Sequence, residues 1–213
     1  HDFGDLAVSI AEYLRSNLSS TDMVKPVAEA TERIRATVIG ASQFTVQLSG
    51  NTLSISDANL LPLRNIPVLI SKLDEDHIVE PDEVVELVNS AFNRQDLIEG
   101  EQQVALAFDW DGLPRYSQLR KIADGIIKAI PNTISNGDPL MLIFTGDFAK
   151  IIGDTISKDI GIPNPVISID NLYLQEFDYI DVGDMIYPAR VVPVVVKSLL
   201  FPEIESQTSE VIN

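Results

Sequence analysis

The chain has 213 residues, 45% of them apolar and 22% charged, a profile that fits a globular protein with a core large enough to need no covalent staple. It has no cysteine and only two histidines, His1 and His77, which excludes disulfides, thiolate zinc sites, cysteine nucleophiles and His-rich metal centres. A net charge of −17 repels nucleic-acid phosphates and anionic membranes, and no apolar run reaches the ~20 residues of a membrane span, so neither partner is expected.

In chain order, Leu6, Ile10, Leu14 and Leu18 repeat at helical spacing and predict a helix over 5–18. A short helix over 26–33 completes an N-terminal helical segment, residues 1–33. Residues 34–41, 44–50 and 51–56 are rich in β-branched side chains and are separated by Gly40-Ala41-Ser42-Gln43 and Gly50-Asn51. They predict a three-stranded antiparallel meander. Residues 57–80, interrupted by Pro62 and Pro67, are expected to be irregular. Pro81 followed by Asp82 and Glu83 opens a helix whose apolar face is Val84, Leu87, Val88, Ala91 and Phe92.

Residues 104–108 then form a buried strand, and Leu119, Ile122, Ala123, Ile126, Ile127 and Ile130 make a clean helical stripe. Residues 140–144 form a second buried strand. Phe148, Ile151, Ile152, Ile156 and Ile160 continue as a helix that stops at Gly161 and Pro163. Further strands are expected over 165–201, and residues 202–213 form a polar tail expected to be disordered. The order is three antiparallel strands, then helix, strand, helix, strand, helix. That is an α/β chain with the element order of the ribonuclease H-like core duplicated in actin-like ATPases, here spanning 34–201.

The phosphate loop, dinucleotide fingerprint, nucleophile elbow and zincin motifs are all absent, so a nucleotide site must be built another way. Two turns are candidates. Gly40, Ala41, Ser42 and Gln43 form a small-residue turn whose backbone N–H groups suit a phosphate, though a plain hairpin turn has the same composition. Thr145, Gly146 and Asp147 end a buried strand and begin a helix, where ligands of open α/β sheets gather; helix capping is the alternative. Asp109 and Asp111 are one residue apart at a strand end, a pair suited either to Mg²⁺ held through water or to capping a turn. No residue is singled out as catalytic.

The segment Ile34-Arg35-Ala36-Thr37-Val38-Ile39-Gly40-Ala41, followed by Thr45-Val46-Gln47-Leu48-Ser49-Gly50, resembles the ethanolamine utilisation EutA family, the reactivating factors of ethanolamine ammonia-lyase. Leu61-Pro62-Leu63-Arg64-Asn65-Ile66-Pro67-Val68, Ala105-Leu106-Ala107-Phe108-Asp109-Trp110-Asp111-Gly112 and Val192-Pro193-Val194-Val195-Val196-Lys197-Ser198-Leu199 are similar in the same order. The resemblance implies the C-terminal half of an actin-like, ATP-dependent chaperone that exchanges damaged cobalamin on ethanolamine ammonia-lyase, with ATP and Mg²⁺ as cofactors. It also implies a cytoplasmic location, or association with a bacterial microcompartment.

The resemblance puts Gly40 to Gln43 at the superfamily's second phosphate turn and Thr145 to Asp147 at its adenosine turn. The first phosphate turn is absent from residues 1–213, so this polypeptide alone is expected to hydrolyse no ATP. Two other readings share the fold: a nucleotide-free module that docks onto the lyase or a microcompartment scaffold, and a sugar- or acetate-kinase relative. The nucleotide reading expects the two turns to line one cleft.

Overall fold

Residues 63–72, which two prolines make look irregular in sequence, are the strand on which both halves of the sheet are built. The computed structural model describes residues 9, 10, 12–14, 16, 43–49, 53–74, 79–110 and 112–198. It contains two units, His1–Thr37 and Val38–Asn213. In the first, the described residues are helical, in keeping with the helix predicted over 5–18. The predicted helix over 26–33, the strand over 34–41 and the tail over 202–213 lie outside the described residues.

The second unit holds an eight-stranded sheet: β1 (Gln43–Leu48), β2 (Ser54–Ile55), β3 (Leu63–Lys72), β4 (Ala105–Asp109), β5 (Leu140–Phe144), β6 (Val166–Asp170), β7 (Tyr179–Val182) and β8 (Pro193–Ser198), in the spatial order β1-β8-β7-β3-β4-β5-β6-β2. Strands β3 to β6 are parallel, with Val68 opposite Ala105, Ala105 opposite Met141 and Met141 opposite Ile167. Parallel neighbours need crossovers, and these are α1 (Pro81–Arg94), α2 (Tyr116–Ala129) with the short α3 (Pro131–Asn136), and α4 (Ala149–Asp154). Helix α4 runs on into a π turn, Thr155–Ile160, which ends at Gly161 with φ 75°. The left-handed backbone there suits glycine and stops the helix where the sequence predicts it.

Alternation along the strands sends side chains to two cores. Leu69, Leu106, Phe108, Leu142 and Phe144 pack under α1, α2 and α4. Val68, Ile70, Ala107, Met141, Ile143 and Ile169 face the other way and are covered by Ile180, Val182, Val194 and Val196 of β7 and β8. The second face is therefore closed by the sheet itself, which curls over. Among the described residues no helix is long and apolar enough to cross a membrane.

The predicted meander does not form between residues 44–50 and 51–56. Strand β1 pairs antiparallel with β8, and β2 pairs antiparallel with β6, at opposite ends of the sheet order. The Gly50-Asn51 signal is local, whereas the pairing is decided by burial: β2 lies against α4, where Gly153 leaves room, since a Cβ there would stand 2.7 Å from the Ser54 Cβ. The irregular segment expected over 57–80 is also corrected. Pro67 is the last residue of β3 paired with β7, and pairing with β4 starts at Val68. A proline lacks an N–H, and here it falls where the strand passes from one partner to the other. An antiparallel half exists, but it is assembled from β1, β7, β8 and β3 rather than from three consecutive strands.

Candidate functional site

A cavity of about 1260 Å³ opens at the carboxyl ends of β3, β4 and β5. This is the edge at which ligands of open α/β sheets bind, because crossovers leave a crevice there. Its walls include Lys72, Asp109 and Thr145 from the strand ends, Thr45 and Gln47 from β1, and Leu172 to Glu176 from the loop after β6. The buried Ser71 and Asp178 and the half-buried Ser198 also line it.

Strand β1 reaches this cavity because the sheet curls. The Gln47 side-chain amide donates to the Tyr173 carbonyl at 2.8 Å and accepts from the Tyr173 N–H at 3.0 Å. One amide side chain thus makes the paired hydrogen bonds of a strand neighbour, joining β1 to a loop 126 residues away. On the opposite side Arg94, at the end of α1, donates to the Ile70 carbonyl at 2.5 Å and to Glu176 at 2.9 Å. The loop after β6 is thereby fixed from both sides.

The Thr145 hydroxyl accepts from the Trp110 N–H at 3.1 Å and donates to Asp109 Oδ1 at 3.4 Å, so its orientation is set by β4. Asp109 also faces Lys72 at 3.5 Å. Gly146 is small for a different reason from ligand approach. A Cβ there would meet the Phe148 ring at 2.2 Å, and that ring packs edge-on against Trp110 with centroids 5.2 Å apart. Asp147 is exposed, and neither it nor Gly146 lines the cavity. Gly40, Ala41, Ser42 and Asp111 lie outside the described residues. Gln43 begins β1, opposite Ser198 in the register, two residues before Thr45 in the cavity wall.

Asp178 was not legible from sequence. It is 2% exposed; Oδ2 accepts from the Gln175 N–H at 2.8 Å, and Oδ1 has no hydrogen-bond partner among the described residues. Burial pushes its carboxyl above the usual aspartate range, opposed by the Gln175 N–H and the nearby Ser198 hydroxyl. Only the fold brings Asp178, Ser198 and Ser71 into the wall of one cavity, and no spacing in the chain signals it. Among the described residues no cluster of three carboxylate or histidine groups could hold a metal ion.

Comparison with known proteins agrees with the residue pattern. Residues 1–202 match the family model described as ethanolamine utilisation protein EutA. Over 201 residues the chain is 32% identical to the ethanolamine ammonia-lyase reactivase EutA of Salmonella typhimurium, covering 94% of this chain and 40% of that protein. It is 30% identical over 200 residues to the Escherichia coli protein of the same name, again covering 94% and 40%. The chain therefore spans about 40% of the length of these curated relatives. No solved structure matches. The match runs through nearly all of the chain, from the N-terminal unit to the end of the sheet, and the chain belongs to the EutA family.

Proposed function

We propose that this chain is the nucleotide-responsive part of a factor that reactivates ethanolamine ammonia-lyase, exchanging damaged cobalamin in an ATP-dependent way. The reading is supported by the two relatives named as reactivases of that enzyme and carried by one observation. A cavity of about 1260 Å³ lies at the carboxyl edge of the parallel strands and is lined by both β1 and Thr145. In this reading Gly40, Ala41, Ser42 and Gln43 serve the phosphates and Thr145, in the cavity wall, the adenosine, while Gly146 and Asp147 shape the turn from outside the wall. Asp109 is the carboxylate suited to meet, through water, a Mg²⁺ that arrives with the nucleotide. A bound nucleotide supplies differential affinity between two states of the factor; the chain's own residues orient it and exclude water.

A second reading has its own support. Both cations in the cavity wall face carboxylates, Lys72 with Asp109 and Arg94 with Glu176, which leaves little positive charge for a triphosphate. That favours a nucleotide-free module docking onto the lyase or a microcompartment scaffold.

The test uses the intact protein with cyanocobalamin-inactivated lyase, with and without Mg-ATP. Recovery of lyase activity only with nucleotide supports the first reading. Capture of the lyase without any nucleotide effect, and no heat on calorimetric titration with Mg-ATP, supports the second. The 213-residue polypeptide by itself is expected to show no ATPase activity, and turnover that survives extensive purification overturns that expectation.

A further inference from the structure

Asp178 joins three properties that do not coincide elsewhere in the cavity. It is 2% exposed, it lines the cavity, and one of its two carboxylate oxygens has no hydrogen-bond partner among the described residues. Buried carboxylate oxygens are normally satisfied, because leaving one unpaired costs more than a typical hydrogen bond contributes. Its surroundings are fixed as well. The backbone carbonyl of Asp178 accepts from the Val68 N–H at 2.9 Å, and Oδ2 is held by Gln175. The backbone is thus anchored to β3 and the side chain to its own turn, and Oδ1 is the oxygen left over.

The charged neighbours are all engaged elsewhere. Arg94 is committed to Glu176 and the Ile70 carbonyl, Lys72 faces Asp109, and Lys197 is bound to Asp181 and Asn65. Among the described residues every cation near this part of the fold is committed elsewhere, and the nearby Ser198 hydroxyl, though it favours the charged carboxyl, makes no hydrogen bond to Oδ1, which leaves that oxygen open to a donor that a ligand brings. Burial disfavours the charged carboxylate, and a ligand donor restores part of the lost hydration.

We propose that Asp178 is a specificity residue of the cavity, accepting through Oδ1 a hydrogen bond from a neutral O–H or N–H donor of the ligand. This rests on the reading of the cavity as a nucleotide site, where the two sources of such a donor are a ribose hydroxyl and the exocyclic amine of adenine. A site built to accept a ligand's donor rejects the analogue that lacks it, since the buried acceptor is then left unpaired.

The experiment is a calorimetric titration of the intact protein with Mg-ATP, its 2′-deoxy and 3′-deoxy analogues, and purine riboside triphosphate, which lacks the amine. One of the three analogues is expected to bind about ten- to a hundredfold more weakly than ATP, which identifies the donor. In Asp178→Asn, whose carboxamide oxygen can still hold Gln175 while its NH₂ faces the cavity, that gap should close. Equal affinity for all four compounds overturns the assignment while leaving the nucleotide reading intact. A gap unchanged in a folded Asp178→Asn protein also overturns it. No binding of any of the four overturns both, and if the asparagine variant fails to fold, Asp178→Ser, whose hydroxyl can still accept from Gln175, is read in its place: closure of the gap supports the assignment and an unchanged gap overturns it.

Discussion

Between β3 and β6 each strand meets the next in sequence through a single crossover, and the helices of those crossovers cover one face. At the other end of the sheet β1 pairs with β8, so the ladder opposes Gln43 to Ser198 across most of the domain. The first arrangement closes short loops around continuous apolar runs. The second must close a long loop, and it is secured by polar groups that find each other only after the fold exists. Asp181 Oδ1 accepts from the Asn65 N–H at 2.7 Å and from Lys197 Nζ at 2.7 Å, tying β3, β7 and β8 together where Asn65 adopts φ 55° at the irregularity in β3. The parallel half is therefore held mainly by dry burial, while the antiparallel half depends on a few specific hydrogen bonds. The cavity lies where the two meet.

The difference can be tested from both sides. The largest effect is expected from Phe144→Ala, which empties a fully buried position between Phe108, stacked at 5.6 Å, and Phe148, at 5.1 Å. A loss of about 3–5 kcal/mol in urea unfolding is expected, with protection falling across the whole sheet. Asp181→Ala should cost about 2 kcal/mol and act differently, lowering amide protection in β7 and β8 before β4 and β5. Uniform loss across both halves would show that they are one cooperative unit.

Gly146→Ala should cost about 1–2 kcal/mol by displacing the Phe148 ring, with a shift in the emission of Trp110, the one tryptophan of these 213 residues. Unchanged emission would mean that the ring adjusts without disturbing Trp110.

Asp178→Asn is expected to stabilise the fold at neutral pH, raising Tm by about 2–4 °C. A carboxyl whose folded value is raised holds its proton more tightly in the folded state. Its contribution is fully present below the unfolded value and is lost as pH rises through the raised folded value. The gap in Tm between variant and wild type should therefore shrink as pH falls into the ordinary aspartate range, which thermal unfolding over a pH series measures. The smallest effect belongs to Gln47→Ala, at most about 1 kcal/mol, seen as faster exchange of the Tyr173 amide.

Legibility in the sequence follows the same division. Strand β5 was readable to the residue, and α1, α2 and β4 to within a few, because burial on both sides makes strands uniformly apolar and helix stripes keep their period. Strand β3 was hidden by Pro67, whose missing N–H is harmless only because the strand changes partner there. The candidate site was half legible. Thr145 stands in the cavity wall as a strand-end residue should, whereas Gly146 serves the Phe148 ring. Gln47, Arg94 and Asp178 carried no local signal, since each acts on a segment distant in the chain.

The amino-acid sequence by itself determined the α/β class, the two buried strands β4 and β5 with the helices around them, and membership of the EutA family. Those depend on local periodicity and on residue order, which need no knowledge of distant contacts. Only the tertiary structure decided that β1 and β2 part to opposite ends of the sheet, that the second face is covered by the sheet's own curl, and that a buried carboxylate faces the cavity. Strand pairing is settled by which apolar faces can be buried together, and that is a property of the whole chain rather than of any segment.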